Sequence, residues 1–210
     1  MQTFMSDSIN TLKAQQGMSE CGRAHGPNWI KWLAHLVGQP NVHGGEIGTF
    51  RADSAVWMLE NVFTHETSTY TCIDPWLPEG SADLAAAGVD CTDNERVARE
   101  RLRQWTDTKR CIIYKMLSAD ILKAFRRESL HMLYVDGDHR SKGVLQDSVL
   151  GFDVLRVGGI MIFDDYGWKV MPSIYDQPKT AINAFVQCYQ RHVEALSPAG
   201  WQIALRKRSS

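Results

Sequence analysis

Four aspartates, Asp136, Asp138, Asp164 and Asp165, close two short apolar strings, "LHMLYVDGDH" and "GGIMIFDDY". Carboxylates are seldom buried without partners, so their clustering at the ends of two core-like segments marks a site. If the two strings are neighbouring strands, Asp136, Asp164 and Asp165 converge in one crevice. Converging carboxylates repel one another unless a cation joins them or one is protonated. Hard oxygen ligands of this kind suit Mg²⁺ or a similar divalent ion. Helix caps facing water are the plainer reading of the same acids. His139 lies in the loop after Asp136, and an imidazole there has the right pKa range for a general base.

Two further acids sit at strand ends. Glu46 precedes a turn in "EIGTF", where Gly48 permits close backbone approach and the next helix offers free N–H donors. An acid facing such a pocket can hold an amine or a hydroxyl, and it would repel a pyrophosphate. Asp74 ends "STYTCID", where a carboxylate suits a ribose diol or, more plainly, caps the turn before Pro75. Trp76 and Trp168 follow acidic strand ends and could line a pocket. The Arg/Glu run from Glu95 to Arg103 reads as a solvated helix face.

These residues need a frame. Strand-like strings alternate with helix-like ones along most of the 210 residues. "NVHGGEIGTF", "STYTCID", "KRCIIYKML", "LHMLYVDGD" and "GGIMIFDD" read as strands. "PNWIKWLAHLVG", with Pro27 in its first turn, "DSAVWMLENVF", capped by Asp53 or Ser54, "TDNERVARERLRQW", "SADILKAFRR", opened by Ser118, and "KGVLQDSVLGFDVL" read as helices. "PKTAINAFVQCYQRHVEAL" is a long helix whose end can already be strand, and "GWQIALRKR" closes the chain as a strand. Continuous apolar strands alternating with helices predict an α/β fold with a doubly wound parallel sheet. Ligands of such sheets bind beyond the carboxyl ends of the strands. Glu46, Asp74, Asp136, Asp164 and Asp165 all fall there.

Bulk properties bound the answer. The chain suits one domain, residues 27–210, with residues 1–26 as a flexible N-terminal segment or lid. It is 44% hydrophobic and 22% charged with a net charge of −1, which argues against electrostatic nucleic-acid binding. No apolar run is long enough to span a bilayer, and the N-terminus lacks a secretory layout. Five scattered cysteines without a C-x-x-C pair are expected to be reduced thiols in a cytoplasmic protein.

Taken together, "EIGTF", "CIDPW", "LSADIL", "YVDGDH" and "GGIMIFDDY" resemble, in order and spacing, the class I S-adenosylmethionine (SAM)-dependent methyltransferases. The nearest likeness is to the small-molecule O-methyltransferase group that includes macrolide-sugar enzymes. The resemblance runs from about Trp29 to Lys207. It implies a Rossmann-like, mostly parallel seven-stranded sheet with a C-terminal antiparallel hairpin. It places Glu46 and Gly48 by the methionine moiety, Ser54 at its carboxylate, Asp74 at the ribose and Ser118 near the adenine. Phe50 and Asp136 complete the cofactor-facing positions. It makes Asp136, Asp164 and Asp165 a metal triad for Mg²⁺ or a similar ion, with His139 as base. Ala52 stands where relatives often have glycine, and Asp138 competes with Asp136 for the ligand role.

The expected activity is methyl transfer to a hydroxyl of a small molecule of sugar or natural-product type. The expected partner is that acceptor, with no nucleic acid and no membrane, and a homo-oligomer is open. Acceptor selection is expected in residues 1–30, 75–92 and 166–177, which are loops without a readable code. A Mg²⁺-dependent phosphohydrolase using the "DGD" aspartates and a non-catalytic SAM-binding protein are the alternatives. A nicotinamide dehydrogenase is disfavoured by the missing glycine fingerprint.

Overall fold

A computed structural model describes residues 20–77, 91–169, 171–196 and 200–210. Seven strands form one sheet: β1 (His43–Ile47), β2 (Thr69–Ile73), β3 (Cys111–Tyr114), β4 (Leu130–Val135), β5 (Leu155–Phe163), β6 (Val193–Ala195) and β7 (Ile203–Lys207). Their order is β3-β2-β1-β4-β5-β7-β6. The first five are parallel, and β7 runs antiparallel to both β5 and β6. The strand order reverses between β1 and β4, so the crevice above that pair is the expected ligand site.

Among the described residues six helices cover the two faces: α1 (Glu20–Leu33), α2 (Asp53–Asn61), α3 (Asn94–Asp107), α4 (Ser118–Ile121), α5 (Ser141–Val154) and α6 (Pro178–Cys188). Successive strand residues point to opposite faces. Tyr70, Cys72, Met132, Tyr134, Ile160 and Ile162 therefore join the core under α1, α2 and α3. Leu133, Val135, Met161, Phe163 and Leu205 join the core under α5 and α6. Both cores are fully buried, which is why the central strands are apolar on each side.

Three local expectations change. The first helix starts at Glu20 rather than at Pro27, so the proline lies inside it. Pro27 is exposed, and its neighbour Gly26 packs so closely on Trp57 that a Cβ there would meet the indole at 3.0 Å. The Gly-Pro pair is thus a packing contact within a helix and not a break before one. The expected caps are engaged elsewhere: α2 follows Ala52 and α4 follows Leu117, neither start having a side-chain cap. Asp53 pairs instead with Arg101 at 2.8 Å. The helix expected over "SADILKAFRR" stops at Ile121 and passes into a 3₁₀ turn, Leu122–Ala124. Phe125 then turns extended and packs edge-on to Tyr114 with ring centroids 5.9 Å apart.

Cys72, Cys111 and Cys188 are free thiols, Cys72 and Cys111 lying buried with their sulfurs 3.7 Å apart. Among the described residues no helix is long and apolar enough to cross a membrane.

Candidate functional site

The carboxyl ends of β1, β2 and β4 and the segment after β3 enclose a cleft of about 500 Å³. That volume suits a ligand of nucleoside size or somewhat larger. The turn after β1 makes its rim. Gly48 has φ +87°, and a Cβ there would lie 1.8 Å from the Asp136 carbonyl oxygen, so only glycine lets β1 and β4 close up at this point. Phe50 (φ 48°), Ala52 (φ 64°) and Trp76 (φ 41°) also adopt the left-handed region. Such strain persists where surrounding structure holds it, and it clusters at ligand sites.

Asp74 holds two of these three. Its Oδ2 accepts from the Phe50 N–H at 2.8 Å, and its Oδ1 accepts from the Trp76 N–H at 2.7 Å. The Trp76 indole N–H closes the bracket by donating to the Phe50 carbonyl at 2.8 Å. Burial raises the Asp74 pKa above the usual carboxylate range, while these backbone N–H groups oppose the rise. Gly48, Phe50, Asp74 and Trp76 all line the cleft.

Glu46 and Ser54 lie elsewhere. Glu46 has no exposed surface and sits beneath the turn. Its Oε2 accepts from the Ser54 hydroxyl at 2.7 Å and from the Tyr70 hydroxyl at 3.3 Å. Among the described residues its Oε1 has no hydrogen-bond partner. Burial pushes its pKa to about 7, against the hydroxyl of Ser54. Both residues thus brace the turn from below, and the Ser54 hydroxyl is spent on Glu46.

The acidic corner stands at the ends of β4 and β5. Asp136 Oδ1 lies 3.8 Å from His139 Nε2, and Asp165 Oδ2 lies 3.2 Å from the same nitrogen. The side chains of His139 and Asp165 are each 11% exposed, and that of Asp136 is 28% exposed. One ligand atom from each of the three can be chosen so that all lie within 4.8 Å of one another. Burial and the charge of Asp164 raise the Asp136 pKa well above the carboxylate range. The Trp168 ring covers His139 with centroids 5.1 Å apart.

The sequence grouped Asp164 with Asp136 and Asp165; the structure turns its Oδ1 toward the Gln202 amide. Gln202 is fully buried and accepts from the Trp29 indole N–H at 3.0 Å. It also donates to the Tyr134 hydroxyl at 3.2 Å. Asp138 does not compete with Asp136: it accepts from the Arg140 backbone N–H at 2.9 Å and pairs with the guanidinium at 2.9 Å. Ser118 lines the cleft, and its hydroxyl donates to Asp147 Oδ1 at 2.6 Å.

Asp147 and Gln202 escaped the sequence reading. Asp147 shares a helical face with Val144, Ser148 and Gly151, all buried, so an acid on the apolar stripe of α5 was the available signal. Gln202 offered none, since a glutamine in a turn before a strand is unremarkable.

Comparison with known proteins bears on this site. No curated protein matches the chain. Solved structures share its fold at low identity. One is TomG, an O-methyltransferase of Streptomyces achromogenes involved in tomaymycin synthesis, in complex with SAM. It is 14% identical, with 97% of this chain and 96% of that chain covered and a TM-score of 0.63. Another is an O-methyltransferase of Bacillus cereus in complex with S-adenosylhomocysteine (SAH), 16% identical over 98% and 91% of the chains with a TM-score of 0.60. A third is the SAH-bound methyltransferase PaMTH1 of Podospora anserina, 14% identical over 97% and 87% with a TM-score of 0.60. A family model described as a methyltransferase domain, Methyltransf_24, matches residues 46–166, from the buried acid of β1 to the turn after Asp165. That match takes in more than half of the chain and every strand end that forms the cleft, so the protein belongs to this methyltransferase family.

Proposed function

We propose that the protein transfers the methyl group of SAM to a hydroxyl oxygen of a small molecule, with His139 as general base. The observation that carries this reading is the His139–Asp165 contact of 3.2 Å in a corner opening on the same cleft as Gly48 and Asp74. A methyltransferase family, a cleft of nucleoside-donor size and SAM-bound or SAH-bound proteins of the same fold support the donor. The donor supplies a methyl carbon made electrophilic by a sulfonium.

This chain's residues do the rest. The Gly48–Phe50 turn offers backbone to the donor, and Asp74 offers its carboxylate beside the ribose. Asp165 orients His139 by accepting from its Nε2–H, which leaves the other ring nitrogen, Nδ1, to take the proton of the acceptor hydroxyl as the new C–O bond forms and the C–S bond breaks. Trp168 shields the imidazole, which keeps water from competing for the methyl. Holding acceptor and donor in one cleft contributes as much as the proton transfer.

A divalent cation is a second reading, favoured by the convergence of Asp136 and Asp165 on one nitrogen of His139. The donor set of two carboxylates and an imidazole fits such an ion, and Asp164 would need to leave Gln202 to join it. A cation there would supply a Lewis acid that lowers the pKa of the acceptor hydroxyl. An imidazole bound to a metal through Nε2 has no lone pair left for a proton, so the two readings assign His139 different work.

Calorimetry with SAH tests the donor, and absence of binding overturns the proposal. His139→Ala is expected to keep SAH affinity while losing about 10²–10⁴ in methyl transfer. Turnover abolished by chelation and restored by Mg²⁺ supports the cation; turnover indifferent to chelation removes it and leaves His139 as base.

A further inference from the structure

The end of the sheet opposite the cleft gathers basic side chains from four neighbouring strands: His43 of β1, His131 of β4, Arg156 of β5 and Arg206 of β7. β5 is irregular there. Leu155 pairs with Leu130 and Ile160 pairs with Met132, so His131 alone stands opposite residues 156–159. Gly158, at φ +83°, lets the chain bulge. Bulges re-aim side chains, and this one brings Arg156 Nη1 to 2.7 Å from His131 Nε2.

That contact has more donors than acceptors. His131 Nδ1 already accepts from the His43 backbone N–H at 3.1 Å. A neutral imidazole offers one acceptor nitrogen and an imidazolium offers none, while guanidinium and backbone N–H groups only donate. With Nδ1 as the acceptor, His131 Nε2 carries the proton, and its N–H faces the N–H of Arg156. Both then need an acceptor from outside. No carboxylate supplies it: Arg206 is paired with Glu194 at 3.5 Å, and among the described residues no acid pairs with Arg156. Burial and the charges of Arg156, His43 and His35 push the His131 pKa down to about 4, as expected of a basic cluster that lacks a counter-ion.

We infer that Arg156 and His131, with His43 beside them, bind a phosphate-type oxyanion at a site separate from the methyl-transfer cleft. Its oxygens accept from the guanidinium and from His131 Nε2–H together, and the planar fork of arginine suits such an ion. The His43 ring lies edge-on to that of His131, with centroids 5.8 Å apart. The Thr69 hydroxyl is 2.7 Å from His43 Nδ1; a proton donated there leaves His43 Nε2–H as a third donor. Arg156 and His43 are exposed, so the ion can enter from solvent.

The test is long-range ¹H–¹⁵N NMR of the histidine rings in the full chain at pH 7, titrated with inorganic phosphate and, in parallel, with glycerol 3-phosphate, each at constant ionic strength made up with KCl. The free protein is expected to show His131 as the Nε2–H tautomer. Phosphate is expected to shift His131 saturably, with a Kd of about 1 mM or tighter, and to leave His139 unmoved. Tighter binding of the ester assigns the site to a phosphorylated small molecule, and equal or weaker binding assigns it to free phosphate; either supports the site. Arg156→Gln, a change at an exposed bulge, is expected to weaken binding at least about tenfold. An Nδ1–H tautomer in the free protein overturns the inference, since Arg156 then has its acceptor. A response matched by KCl alone, one confined to His139, or one unchanged in Arg156→Gln overturns it as well. The first three of these outcomes need no variant to fold, and none bears on the methyl donor.

Discussion

Replacing Glu46 by glutamine measures how an acid is kept beneath the cofactor turn. Glu46 has no exposed surface, one oxygen without a partner among the described residues, and a pKa raised by burial from 4.5 to about 7. The folded state therefore holds a proton that the unfolded chain has released between those two values. For an acid whose folded pKa is raised, stability is fully present below the unfolded value and declines as pH rises through the folded one. At about 1.4 kcal/mol for each pKa unit, this group alone should cost the wild type roughly 3 kcal/mol between pH 4 and pH 8.

Glu46→Gln removes the titration while keeping the shape. Its carboxamide oxygen can still accept from Ser54, and its N–H can donate to Thr49, whose hydroxyl has no partner among the described residues. Urea unfolding of both proteins from pH 5 to pH 8.5 isolates the group, because the other titrating residues cancel in the difference. The variant should gain on the wild type as pH rises, by roughly 2–3 kcal/mol across that range. A difference independent of pH would show that the carboxyl reaches water or a cation in the folded protein, and the account of a desolvated acid would fail.

Three other perturbations follow from the same geometry. Gly48→Ala forces a Cβ onto the Asp136 carbonyl at a φ of +87°, so it should cost at least about 2 kcal/mol in urea unfolding and abolish SAH binding; retained binding would mean that the turn can move. Lys207, 1% exposed, donates to the carbonyls of Phe152 and Leu155 at 2.9 and 2.8 Å where α5 ends. Lys207→Met keeps the stem and strands both carbonyls, so thermal or urea unfolding should show a loss of about 1–3 kcal/mol. Gln202→Leu leaves the Trp29 indole, the Tyr134 hydroxyl and Asp164 without their shared partner, and should cost about 2 kcal/mol or more; a neutral result would mean that Asp164 is held by something else.

The frame was legible because its signals are local and repeated. β4 and β5 are largely apolar toward the core, and β2, β4 and β5 are each followed by an acid at the chain position where a parallel sheet opens to ligand. Capping was misread because a cap is a local bond that a distant partner can displace. Asp53 went to Arg101, Ser54 to Glu46 and Ser118 to Asp147, separated in sequence by 48, 8 and 29 residues. No window of sequence around a helix start contains those competitors.

Asp164 is different, because its placement could have been reasoned from the sequence. Side chains alternate along an extended strand. Ile162 faces the core under α1 and α2, and Phe163 faces the core under α5 and α6. Asp164, the next residue, must return to the first side, where Gln202 links it to Trp29 and Tyr134. Asp165 opens a 3₁₀ turn and comes back to the second side, toward His139. Two adjacent acids at a strand end therefore point to opposite faces, and it is Asp165 whose ligand atom lies within 4.8 Å of those of Asp136 and His139. Asp164 stays near enough for its charge to raise the Asp136 pKa, yet its Oδ1 is held by Gln202, so a third carboxylate on one ion would need that side chain to turn, whereas the ligand atoms of Asp136, His139 and Asp165 already converge.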